Sequence, residues 1–305
     1  MAGDPREDEV EERVGLECRK RHVWRGRARV GIAGLLLMLG ATGHAEELSL
    51  AATIAAAPGG PANGHNFTHL VPLDPANTYT GGALIQDDTC IRGNGATIDL
   101  EPAWIMVTIG AGATRFDIDH ALILNGGNLG SDYGGGIEFG PGTQGWVINN
   151  TFYDNYPYGI YLHEVDLDDE AVRIELNILY QNGVAGLVIN DAQLGFLQIS
   201  YNDSNGNLAD YAMHCGCGSE AVVEIIPGET PGEGGAPALD GSNLTADPRF
   251  VLVPGGHGVP PDYHLKEGSP CIGAGPFGED LGAFPYHDSP VVPTTWGALK
   301  SLFRE

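Results

Sequence analysis

Apolar and polar residues alternate with period two over short stretches between residues 115 and 214, and the stretches recur. In "GIEF" (Gly136 to Phe139), "GIYL" (Gly159 to Leu162) and "GLVI" (Gly186 to Ile189), Ile137, Ile160 and Leu187 share one column. Phe139, Leu162 and Ile189 share a second, and Glu138, Tyr161 and Val188 stand between them. Alternation with period two is the mark of a β-strand with one face turned inward. Before each strand lies a second recurring unit. "NTFYDN" (Asn150 to Asn155) returns as "NILYQN" (Asn177 to Asn182), with weaker echoes in "HALILN" and "SYNDSN". Aligning on the last Asn of each gives Asn125, Asn155, Asn182 and Asn205.

A unit of this size cannot bury its own apolar face, whereas stacked copies can, each strand pairing in parallel with its counterpart one coil further on. The pattern therefore predicts a parallel β-helix. The aligned asparagines are expected at the corners, where Asn tolerates a left-handed backbone and can hydrogen-bond up the stack. An antiparallel sandwich would need hairpin signals about every ten residues, and these are sparse between 114 and 210.

The N-terminal stretch breaks the pattern. "DPREDEVEE" is followed by the basic "RKRHVWRGRAR", the apolar run Val30 to Ala41 and "TGHA" ending at Ala45. This reads as a secretory signal over residues 1–45, with a long n-region whose true start falls near Val23. The apolar run is short for a membrane span. Residues 46–84 are expected to cap the solenoid, with "LSLAATIAAA" as a short helix or strand. Residues 85–240 are expected to form the β-helix and 241–286 a closing segment over its open end. Residues 287–305 form a tail, read as a last helix or a recognition tail.

Composition adds two constraints. The net charge is −25, with 46 glycines in 305 residues. Removing residues 1–45 would leave 7 basic and 33 acidic side chains, a net charge near −26. Such a balance argues against nucleic acid and anionic membranes as partners. After Cys18, the chain keeps Cys90, Cys215, Cys217 and Cys271. In an exported protein these could form two disulfides or stay as thiols, and Cys215-Gly-Cys217 with His214 is only half a metal site.

The C-terminal segments "NLTADPRFVLVP", "DYHLKEGSPCIGAG" and "EDLGAFPY" resemble the closing segment of bacterial exported right-handed parallel β-helix repeat proteins, the pectin-lyase-like architecture. Their pattern is DP-x-F, then GSP-x-I, then D-x-GA-[FY]; Cys271 stands where small residues are usual. The resemblance, over about residues 85–286, implies an all-β right-handed β-helix, a monomer that is secreted, periplasmic or at the cell surface, and a polysaccharide or cell-surface glycan as partner. It also implies that ligands lie along one outer sheet and its loops, since stacked coils make a long shallow groove. For a glycosidase, paired carboxylates would be needed, and the candidates are Glu138, Asp154, Glu164 and Asp191. For a lyase, a basic residue and Ca²⁺ would be needed; Asp166, Asp168 and Asp169 could offer Ca²⁺ ligands, without the spacing of an EF-hand, and a solvated acidic loop is the default. Tyr156, Tyr158, Tyr161 and His163 are the candidate sugar-binding side chains. The N-T-D and R-I-K motifs of polygalacturonase-like enzymes are absent. The expectation is a non-catalytic glycan-binding or scaffold protein requiring no cofactor, with a polysaccharide lyase or glycoside hydrolase as the alternative.

Overall fold

The computed structural model describes residues 47–101, 107–109, 114–127, 135–163, 172–190, 197–214, 222–228, 239, 241–253 and 261–286. Three parallel sheets run along one solenoid, and each coil visits them in the order second, first, third. One coil shows the path: Gln144–Ile148 in the second sheet, Thr151–Tyr153 in the first, Tyr158–His163 in the third, then Val172–Glu175 back in the second.

The predicted columns stand in register. Ile137 pairs with Ile160, Ile160 with Leu187, and Leu187 with Tyr211. All four are buried in one core, which also takes Phe139, Leu162 and Ile189. The second sheet adds the inward file Ile118, Val147, Ile174 and Ile199, and the first adds Ile98, Ile123, Phe152 and Leu179. Burying each such side chain contributes about 1.5–3 kcal/mol, and the contribution repeats coil after coil because the column does.

Asparagines line both corners of the first sheet, but the left-handed backbone expected of them falls mostly on the residue before. At the corner from second to first sheet, the left-handed residues are His120, Asn149, Leu176 and Tyr201, with φ of 50°, 54°, 60° and 55°. The residues that follow in the last three are Asn150, Asn177 and Asn202, whose side chains turn inward and form a ladder. The Asn150 backbone N–H donates to Asn177 Oδ1 at 2.9 Å, that of Asn177 to Asn202 Oδ1 at 3.1 Å, and that of Asn202 to Asn243 Oδ1 at 3.1 Å. Each Nδ2 also satisfies a backbone carbonyl, as Asn177 does for Val147 at 2.8 Å. A second ladder at the next corner joins Asn155, Asn182 and Asn207. Here Asn125 is itself left-handed and Gly126 takes the ladder place, donating to Asn155 Oδ1. Asn205 lies in the strand Asp203–Asn205 and is replaced in the ladder by Asn207. The division of labour is physical: a sharp turn leaves backbone donors unpaired in the core, and the inward amide of the next coil satisfies them.

The N-terminal end is closed by the helix Leu50–Ala56, N-capped by Ser49, which accepts from the Ala52 N–H. Leu50 and Ile54, four residues apart on one face, enter the solenoid core. Solenoid strands begin earlier than expected: His69–Pro72 already pairs with Thr89–Arg92, and Glu47–Ser49 with Thr78–Thr80. A hairpin, Gly60–Ala62 with His65–Phe67, turns at Asn63 and Gly64, both with positive φ. This is the Asn-Gly signature of a tight hairpin.

Only the start of the closing segment is seen at the open end. Asn243 and Leu244 extend the last coil, Leu244 bridging Asp203. The chain then runs back along the outer face of the first sheet, where Phe250, Tyr263, Leu265, Cys271 and Leu281 pack on Leu122, Tyr153, Leu176 and Ile178. The Ala283 N–H donates to Thr151 Oγ1 and that of Gly282 to the Leu176 carbonyl. The reason is in the column itself: Leu122, Ile178 and Tyr180 point outward and need cover.

Candidate functional site

With the first sheet covered, the outer faces of the second and third sheets remain. The third carries the candidates read from the sequence. Glu138 and Tyr161 are register neighbours, and His163, two residues on, places Nδ1 3.6 Å from Glu138 Oε1. His163 pairs in register with Asn190, whose Nδ2 donates to the Tyr161 hydroxyl at 3.0 Å. The side chains of His163 and Glu138 are 30% and 13% exposed. Glu138, His163 and Asn190 thus stand on successive coils, His163 and Asn190 in register and Glu138 two residues back along its strand, as a cluster of hydrogen-bonding groups on one sheet face.

Two of the tyrosines expected to bind sugar are buried. Tyr161 is fully buried and Tyr158 nearly so, and both pack with Ala185, Val188 and Ala212 in an apolar patch on the outside of the sheet. Tyr161 also stacks on His163 with ring centroids 5.5 Å apart and lies 5.4 Å from Tyr158. Their role is to fix the polar cluster from beneath. Tyr156 sits at the corner between first and third sheets, half-buried, with its ring over Gly183. A Cβ at Gly183 would lie 2.2 Å from Tyr156 Cδ2, so this position holds glycine to seat the ring.

The four carboxylate candidates do not assemble among the described residues. Asp154 is the left-handed corner residue, and its charge is felt by Tyr263 of the closing segment, on the first-sheet side. In the third sheet, Thr108 and Tyr161 flank Glu138 in register, so neither adjacent strand offers a second acid there. Glu164, Asp191, Asp166, Asp168 and Asp169 lie outside the described residues, as do Cys215, Cys217 and the side chain of His214. No group of three or more metal-ligating side chains occurs among the described residues. Cys90 and Cys271 are free and buried, so neither pairs with the other in a disulfide.

The second sheet's outer face holds residues the sequence reading did not join. All three arginines of the solenoid are on it. Arg92 pairs with Asp119, Arg115 with Asp117 at 3.1 Å, and Arg173 with Glu175 at 2.8 Å. Trp146 lies between two of them, with Arg115 4.8 Å and Arg173 5.0 Å from its ring centroid. The hairpin tip inserts here: Asn63 donates to Asp117 Oδ2 and accepts from Arg92 Nη2, and His65 bonds Asp88 at 2.7 Å. Burial pushes the Asp117 carboxyl above its ordinary value, while Arg115 and Asn63 pull it back. The signal was present in "CIR", "RFDID" and "RIE", where charges fall on alternate, outward positions of successive strands.

Neither face spans a membrane through a helix: no helix among the described residues is long and apolar enough to cross one. No curated protein and no solved structure matches the chain. A family model described as right handed beta helix region matches residues 77–224, a span reaching from the first-sheet strand Thr78–Thr80 to Glu224 of the third sheet. Sheet order, register and that match together make the fold an all-β, right-handed parallel β-helix.

Proposed function

We propose that the protein is an exported β-helix that binds a linear glycan, without cleaving it, along the outer face of its third sheet. The observation that carries this reading is the cluster of Glu138, His163 and Asn190: hydrogen-bonding side chains on consecutive coils of one sheet face, beside buried tyrosines. Sugar hydroxyls both donate and accept, and a carboxylate, an imidazole and an amide on one sheet face match that chemistry. Hydrolysis with two carboxylates would need a second acid about 5–9.5 Å from Glu138, and the described strand positions beside it supply none. A polyuronate lyase would need a cation for the uronate carboxylate, and the solenoid's arginines are held by carboxylates on another face. Export rests on the basic and apolar N-terminal stretch, and N-terminal sequencing of secreted material checks it.

The test is a polysaccharide panel against purified protein, with and without Ca²⁺, recording binding, reducing ends and unsaturated products. Retention on at least one polymer with no new ends is expected. Turnover would replace this reading with the enzymatic one, and no binding to any polymer would remove it.

A further inference from the structure

A buried acid joins the solenoid to the segment that covers it. Asp203 follows Thr97, Leu122, Thr151 and Ile178 in an outward column of the first sheet, and it is fully buried because the closing segment lies on it. Cys271 of that segment, also fully buried, donates from Sγ to Asp203 Oδ2 at 3.0 Å. The other carboxylate oxygen accepts the Ala246 N–H at 2.9 Å. Each partner is wired into its own side. The Asp203 N–H donates to the Asn177 carbonyl, and Leu281 and Ser269 hold the Cys271 backbone.

The electrostatics of this junction are one-sided. Beside Cys271, the titratable groups bearing on Asp203 are Asp210, Asp247 and Tyr211, two acids and a phenol. The Tyr211 hydroxyl donates to the Asn202 and Leu244 carbonyls, not to the carboxyl. No lysine, arginine or histidine is among these groups. A buried carboxylate with only an amide and a thiol as donors is costly, whereas the neutral acid keeps both contacts, its own proton then turned toward sulfur.

We propose that the Asp203–Cys271 contact is a pH-sensitive latch, holding the closing segment against the first sheet while the carboxyl is neutral and loosening it as the carboxyl ionises. Burial raises Asp203 from 3.8 to about 6, with Ala246 and Cys271 pulling it down and Asp210 and Asp247 pushing it up. An acid raised in the closed state contributes its stabilisation below its open-state value and loses it as pH climbs through the closed-state one. The opening equilibrium therefore rises between pH 4 and pH 7, by about tenfold or more. What opening uncovers is the apolar outer face bearing Leu122, Tyr153, Leu176 and Ile178.

Thiol labelling of the whole protein tests it. The rate of maleimide addition at Cys271, read by peptide mass spectrometry and divided by the rate in urea-unfolded protein, gives a protection factor free of intrinsic thiol chemistry. Protection at Cys271 is expected to fall about tenfold from pH 5 to pH 7. Cys90, on the outer face of the second sheet beside Asp117, whose buried carboxyl Arg115 offsets, serves as the control and should fall clearly less than Cys271. Asp203→Asn should flatten the Cys271 profile. A flat wild-type profile, an equal fall at Cys90, or a pH dependence surviving in Asp203→Asn would each overturn the latch. The wild-type comparison of Cys271 with Cys90 decides the matter even where the variant does not fold.

Discussion

The second and third sheets share one solenoid, one core and the same alternation, yet their outer faces are built for different ends. On the second, every cation meets an anion: Arg92 with Asp119, Arg115 with Asp117 and Arg173 with Glu175, around Trp146 and under the hairpin that plants Asn63 between Arg92 and Asp117. On the third, Glu138 and His163 are partly open, with tyrosines locked beneath them. A face whose charges are mutually neutralised and covered is a fastening. One that keeps polar groups in reach of solvent can still recognise something. Counting charged residues would point to the second face, where the denser cluster is already engaged within the fold.

That contrast can be broken most directly at Asp117. Asp117→Ala removes the buried carboxylate that Arg115 and Asn63 bond, so equilibrium urea unfolding should show a loss of about 3–5 kcal/mol. A loss below about 1 kcal/mol would mean the second face is no fastening. Tyr161→Phe tests the support under the other face. It removes the hydroxyl that accepts from Asn190, with an expected cost of about 1 kcal/mol and weaker glycan retention, since Asn190 loses its anchor. The smallest effect on stability belongs to Glu138→Gln, within about 0.5 kcal/mol of wild type. The same variant should weaken polymer binding several-fold in affinity electrophoresis. If Glu138→Gln binds like wild type while Asp117→Ala, still folded, loses binding, the assignment of the two faces is reversed.

Much of the fold could be read without coordinates. Ile137, Ile160 and Leu187 were aligned by their spacing and do stand in one inward file, since a stacked coil repeats its pattern at every turn. The corners were legible in outline. The ladder stands at the expected Asn155 and Asn182, while the left-handed backbone falls one residue earlier, at Asn149, Asp154 and Gln181, and the next residue's amide turns inward. Side-chain type alone does not say which of two adjacent positions does which job. At the candidate site, Glu138 and His163 were legible as neighbours because they share a strand pattern with the next coil. Tyr158 and Tyr161 are sugar-binding candidates by sequence, yet both are buried: an outward side chain need not meet water, and these meet Ala185, Val188 and Ala212.

Period-two alternation and recurrence are thus enough to dictate a stack of parallel coils, since no other arrangement buries those columns. Which outward column stays open, where the closing segment lies, and that an Asp and a Cys separated by 68 positions share a proton-bearing contact depend on which surfaces meet after the coils have formed. Local pattern sets the direction of a side chain relative to its own strand. What lies in that direction is supplied by remote chain, and only the assembled solenoid brings it there.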